Sequence, residues 1–195
     1  MRLSATAIRL STLCVCFFSS LVAPGDLVQA VPSYPVTRVG LNDKEFTTTD
    51  GESVSLSDFY GSVVLLHFLA SWCGPCAIEA PSLSQLSRKF QGRDFVVLGV
   101  AIDDSASDAS NFAKTLRIPF PVLVDAQGAL KRAFGAQGLP MTIMLNSSGE
   151  QISFQDPATG SMTRRIVGPR DWSSPRAQAS IEKLLSSPLS SSDAI

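Results

Sequence analysis

The sequence predicts an α/β layer in which parallel and antiparallel strand pairs share one sheet. Val63 to Leu69 and Phe95 to Ile102 are nearly unbroken apolar runs, the pattern of strands buried on both faces. Between them, Cys73 to Phe90 carries a helical pattern, with Cys76, Ala80, Leu83, Ser87 and Phe90 near one face and Leu86 alongside. The full order reads strand–helix–strand–helix–strand–hairpin–helix, which joins helices to a sheet rather than strands to strands. The 195 residues suit one domain or two small ones, and 45% hydrophobic against 17% charged is a globular balance. A net charge of −1 leaves no footprint for nucleic acid or an anionic membrane. A single histidine argues against a Cys/His zinc cage.

Residues 1–30 read as an export signal. Arg2 and Arg9 form a positive head, and Leu10 to Ala23 is uncharged and mostly apolar. That stretch is short of the roughly 20 residues a bilayer-spanning helix needs, but suits a signal core. Val28-Gln29-Ala30 fits a small-x-small cleavage site, so the expected cut follows Ala30; an uncleaved anchor is the alternative. Cleavage removes Cys14 and Cys16 and leaves Cys73 and Cys76 alone in the exported chain. Export also places that pair in an oxidising compartment, where a dithiol must be actively kept reduced.

The folded domain is expected over 31–185. Asp50-Gly51 marks a turn between Phe46 and Val54, giving a short N-terminal hairpin. After the two buried strands, Asp103 to Ser107 is an acidic, Ser-rich loop, and Asp108 or Ser110 caps a short helix ending near Leu116. Pro119 to Asp125 is extended, Ala126 to Phe134 helical, and Met141 to Leu145 a third strand. A hairpin follows, interrupted at Asp156 to Ser161 and returning through Arg164 to Val167. Ser174 then caps a last helix, with Pro175 at its first position and its end at Leu185. Residues 186–195 form a Ser-rich flexible tail.

Chemistry concentrates at Trp72-Cys73-Gly74-Pro75-Cys76, between a buried strand and a helix. A sulfur at a helix N-terminus faces unpaired N–H groups and the positive end of the dipole. Both favour thiolate, so the Cys73 pKa should lie below the free value of about 8.5. Three residues on, Cys76 lies close enough to close a disulfide, so Cys73 attacks a substrate disulfide and Cys76 resolves the mixed disulfide. Pro75 offers the thiolate no N–H, which points to a reductant rather than an oxidant. An inert disulfide or half of a metal site is the other meaning a lone CxxC can have.

These residues resemble the thioredoxin superfamily, and more closely its exported TlpA/ResA-like branch, over about Val36 to Leu185. Besides the WCGPC motif, the resemblance rests on Glu79-Ala80-Pro81, on the central insertion and on Gly168-Pro169-Arg170-Asp171-Trp172. It implies a thioredoxin fold: a central mixed sheet flanked by helices, with Cys73 exposed and Cys76 buried. It implies that Pro140 is cis and faces the dithiol, with the Leu139 backbone free to pair with an extended substrate. Pro81 would be a helix kink. Trp72, beside Cys73, would shield the sulfur and touch substrate.

The resemblance also places His67 where thioredoxins bury an aspartate beneath the dithiol, while Gly99 stands where a lysine often accompanies it. A neutral imidazole there is either a general base toward Cys76 or a core histidine bonded to backbone. Glu79 reads as a solvated helix charge or as one that sways the field at the cysteines, and Arg164, Arg165, Arg170 and Asp171 as a solvated surface or a partner contact.

The function implied is an exported, periplasmic or otherwise extracytoplasmic thiol–disulfide oxidoreductase, monomeric and without cofactor or resident metal. It would reduce disulfides of other exported proteins, as in cytochrome c maturation, drawing electrons from a membrane thiol transporter. Nucleic acid is not an expected partner. Two rivals use the same cysteines: a peroxiredoxin-like peroxidase, needing a Thr or Ser and an arginine beside Cys73, and a Cu(I) metallochaperone helped by Met141.

Overall fold

The computed structural model describes residues 41–103 and 105–186. The expected export segment at 1–30 and the tail after Ser186 lie outside the described residues. The chain begins with a hairpin of β1 (Phe46–Thr47) and β2 (Ser53–Val54), closed by the expected Asp50-Gly51 turn. A 3₁₀ turn at Leu56–Phe59, absent from the sequence reading, follows; the Asp58 carboxylate accepts the Ser55 N–H at 2.7 Å. Then come β3 (Val63–Leu69), α1 (Gly74–Lys89), β4 (Phe95–Ala101), α2 (Ala106–Thr115), β5 (Val122–Val124), α3 (Ala129–Phe134) and β6 (Met141–Leu145). The chain ends through β7 (Gln151–Ile152), β8 (Phe154–Gln155), β9 (Met162–Thr163), β10 (Ile166–Val167) and α4 (Pro175–Ser186).

β3 is central: β4 pairs with it in parallel and β6 antiparallel, and β5 extends the parallel side. On the outer edge of β6, β7 lies against Met144 and Leu145, and β10 against Met141 and Thr142. The expected returning hairpin is therefore one interrupted edge, and β8 and β9 form a separate ribbon between its halves. The N-terminal hairpin closes the opposite side, where Thr49 N–H donates to Val122 C=O at 2.8 Å.

Strand alternation divides the apolar residues between the sheet faces. Val63, Leu65 and Leu69 of β3 join Cys76, Leu83, Leu86 and Phe90 of α1, with Ile181 of α4, on one face. Val64, Leu66 and Phe68 join Leu130 and Phe134 of α3, with Met141 and Ile143, on the other. His67 follows the first set, and its register partners Gly99 on β4 and Thr142 on β6 follow it too. The α1 face thus carries a polar spot in the middle of an apolar wall. Gly99 keeps that spot narrow: a Cβ there would meet Val122 Cγ2 at 3.0 Å and Cγ1 at 3.2 Å.

Candidate functional site

β3 delivers the chain to Ala70, and the next residues form a turn held down by Asp103 at the end of β4. The buried Asp103 carboxylate accepts the Ser71 N–H, at 2.9 Å to one oxygen and 3.1 Å to the other, and also the Ser71 hydroxyl. From sequence Asp103 belongs only to an acidic, Ser-rich loop. In fact it fastens the residue just before Trp72.

Cys73 is the N-cap of α1, and its sulfur accepts the Cys76 backbone N–H at 3.2 Å. This first-turn N–H, which also reaches the Cys73 C=O at 3.1 Å, points at sulfur, the arrangement that favours thiolate once the pair is reduced. Here the two cysteines are bonded, with S–S 2.04 Å and Cα atoms 5.3 Å apart. Gly74 and Pro75 begin the helix, and Pro75 fits because the first-turn N–H groups need no intrahelical partner.

Cys76 is buried as expected, but Cys73 is only 5% exposed rather than open to solvent. Its sulfur is engaged by Cys76 and by the helix start, and it forms the floor of a groove of about 350 Å³. Trp72, Gly74, Pro75, Lys131 and Leu139 are among the groove walls. Trp72 is 70% exposed, a flag of apolar surface beside the sulfur rather than a core aromatic.

The Leu139–Pro140 peptide bond is cis, as the resemblance implied. Gly168 N–H donates to Pro140 C=O at 2.9 Å and ties this loop to the end of β10. No intramolecular hydrogen bond engages the Leu139 backbone among the described residues. Its amide is a free rail on the wall of the groove.

Beneath the dithiol the structure corrects the sequence reading. Glu79, one helical turn past Cys76, is not a solvated charge: it is 2% exposed. Its Oε1 accepts the Trp172 indole N–H and, at 3.2 Å, the Arg170 backbone N–H. Its Oε2 has no hydrogen-bond partner and faces His67 Nε2 at 3.8 Å. Burial dominates these donors and pushes the Glu79 pKa up to about 7. The donors come from Trp172 and from Arg170, a residue expected on a solvated surface.

Arg170 is corrected with it. Its guanidinium clasps Asp156 through Nε at 2.8 Å and Nη2 at 2.9 Å, while Arg164, Arg165 and Asp171 are exposed as expected. Pairing with Arg170 draws the Asp156 pKa below the ordinary carboxylate range.

His67 is 1% exposed, and its Nδ1 lies 2.9 Å from Thr142 Oγ1. It is bonded to a side chain, not to backbone as the core alternative supposed. Burial pushes its pKa down to about 3, so the ring is neutral at physiological pH. Met141, the methionine of the copper alternative, is buried on the opposite sheet face from the cysteines. No cluster of three metal-binding side chains occurs among the described residues.

Comparison with protein families matches residues 25–159 to Redoxin, well over half of the chain. The chain belongs to the Redoxin family. Within it, the chain is 30% identical over 131 residues to the thiol-disulfide oxidoreductase ResA of Geobacillus kaustophilus, covering 66% of this chain and 74% of that protein. With ResA of Halalkalibacterium halodurans it shares 28% identity over 167 residues, or 86% and 89% of the two chains. A thiol:disulfide interchange protein from Chlorobium tepidum superposes with a TM-score of 0.55 at 26% identity, covering 73% and 90%. A secreted Mycobacterium tuberculosis disulfide oxidoreductase does so at 0.56 and 22%, covering 70% and 95%, a likeness of fold. This Redoxin-family chain has the thioredoxin fold and is a thiol–disulfide oxidoreductase of the TlpA/ResA-like kind.

Proposed function

We propose that the protein is an exported reductant of disulfides in other exported proteins, working through Cys73 and Cys76. The observation that carries this reading is the bonded pair at the mouth of α1, open to a groove whose wall offers the unpaired Leu139 backbone. An extended peptide pairs with that backbone and brings its disulfide over Cys73. The Cys73 thiolate attacks one substrate sulfur, forms the mixed disulfide and expels the other sulfur, which takes a proton. Cys76 then gives its proton to the Glu79 carboxylate and attacks the Cys73 sulfur. The bond from Cys73 to the substrate sulfur first attacked breaks, its electron pair leaves on that sulfur, and that sulfur is protonated. Two electrons pass from the dithiol to the substrate, and an external dithiol donor restores the pair.

Export rests on the composition of residues 1–30, and a membrane thiol transporter is the donor that an extracytoplasmic reductant requires. Apocytochromes with haem-attachment cysteines are the substrates that the TlpA/ResA-like resemblance suggests. A peroxidase fits less well: among the described residues no arginine, serine or threonine lines the groove.

The deciding experiment expresses the Cys76→Ser chain in its native compartment and identifies what is trapped on Cys73. Mixed disulfides with exported proteins are expected. Absence of adducts, or failure of the parent protein to cycle with dithiothreitol, overturns the reading. A reduction potential as high as about −120 mV, the range of a strong oxidase, overturns the assignment as a reductant.

A further inference from the structure

One buried oxygen has no partner in this fold. Glu79 Oε2 is sealed from solvent and unbonded, and a buried polar atom left so is costly. Oε1 is saturated by the Trp172 indole and the Arg170 amide, both donors, so it serves only as an acceptor. Any proton carried by this carboxyl therefore sits on Oε2, and what Oε2 faces is His67 Nε2.

The far side of the ring matters equally. Thr142 Oγ1 is both donor and acceptor, and it lies 2.9 Å from His67 Nδ1. With the ring proton on Nδ1, Thr142 accepts it, and Nε2 presents a lone pair to a protonated Oε2. With the ring proton on Nε2, Thr142 donates to Nδ1, and Nε2–H points at an ionised Oε2. Each tautomer of a neutral imidazole thus matches one protonation state of Glu79, and an approach of roughly 1 Å brings the 3.8 Å pair into bonding distance.

The geometry points to His67 as the positioning residue for proton exchange between Glu79 and Cys76, its tautomer switching through Thr142 as the carboxyl gains or loses its proton. This rests on the Glu79 role proposed above. The ring holds one proton in both states, so the pair gains only the proton released by Cys76.

The other charged or titratable groups around Glu79 leave this role to His67. β4 contributes Gly99, which has no side chain. The 168–172 segment contributes Arg170, whose guanidinium is committed to Asp156, and Asp171, which is exposed. The helix contributes Cys76 itself.

His67 is the protein's one histidine, so its ring nitrogens are unambiguous in a long-range proton–nitrogen spectrum of the full chain. The expected result is a neutral ring from about pH 5 to about pH 9. The Nδ1–H form should dominate at the acid end and Nε2–H at the alkaline end, crossing over as the infrared carboxylic-acid band of Glu79 disappears. A single tautomer throughout, or an imidazolium signal, overturns the proposal.

His67→Leu should lower the rate of mixed-disulfide resolution, relative to initial attack, about tenfold at pH 8. Its pH midpoint should rise by about one unit, tenfold and one unit being the same change. His67→Gln, which keeps a donor and an acceptor, should recover most of the loss. Should the leucine variant not fold, Thr142→Val isolates the tautomer switch and should freeze the ring in one form. Glu79→Gln separates the two levels of the argument. Slow resolution in that variant with no shift in His67→Leu sinks only the role of His67, while normal resolution sinks the role of Glu79 as well.

Discussion

Two acids touch Arg170, and their pKa values move in opposite directions because burial outweighs the arginine at one of them. Asp156 receives the guanidinium and is drawn toward ionisation. Glu79 receives only the backbone N–H, and the arginine's charge is the weakest of the effects opposing its burial, so its pKa rises. One residue thus anchors the loop end of the molecule with a charge pair and gives the carboxyl beneath the dithiol a backbone dipole and only a weak pull from its charge. A carboxyl paired to a cation stays ionised and cannot trade protons near neutral pH; one held by dipoles can. The comparison teaches that the withheld cation matters as much as the bonds supplied. Gly99 enforces the same absence on the neighbouring strand, because Val122 fills the space that any side chain would need.

Arg170→Met should break the contrast with the largest effect. It strands the Asp156 carboxylate, which with its partner is mostly but not wholly buried. The expected loss is about 2 kcal/mol in urea unfolding at pH 7, below the range for fully buried pairs because solvent screens this one. An unchanged midpoint would mean that the pair does not anchor the loop.

The pH dependence of stability sharpens the contrast. Asp156 is lowered in the fold, so its contribution is present above its unfolded value of 3.8 and fades as pH falls through the folded one. Glu79 is raised from 4.5 to about 7, so the folded state holds a proton there that the unfolded chain has lost, and stability declines as pH rises across that window. His67, lowered from 6.5 to about 3, works in the opposite direction over the lower part of the window. Glu79→Gln compared with its parent should therefore remove a decline of roughly 1–3 kcal/mol between those values. Asp156→Asn should instead remove an acid-side loss. Identical pH profiles for the two variants would erase the distinction.

Trp172→Phe gives the smallest change. Losing the indole donor should cost about 1 kcal/mol and move the Glu79 titration, followed by infrared, further upward. A downward movement would show that the indole does not favour the carboxylate.

How much of this could be read in advance follows from how local each signal is. The strands Val63–Leu69 and Met141–Leu145 agree with the sequence reading because unbroken apolar runs mark buried strands. The helix from Cys73 to Phe90 lost only its end residues, as capping would have it. The residues around the groove, though not the groove itself, were legible: the WCGPC spacing and the Leu139-Pro140 pair are short motifs, and the cis bond at Pro140 agrees with the resemblance. Glu79 was not legible. Its partners lie 91 and 93 positions away at Arg170 and Trp172, and a lone glutamate on a helix looks solvated until those are in place. His67 was placed correctly by alternation, but its bond to Thr142 needed the β3–β6 register. Asp103 failed for the same reason as Glu79: its loop looked polar, and nothing local says that its carboxylate turns back to Ser71.

The interrupted edge of β6 has an engineering consequence. Because β7 and β10 are each stitched to β6 and the β8–β9 ribbon hangs between the seams, cargo can be spliced at Ala158 to Gly160 without unpicking either seam. A tag or recognition module mounted there would ride on the catalyst as on a handle.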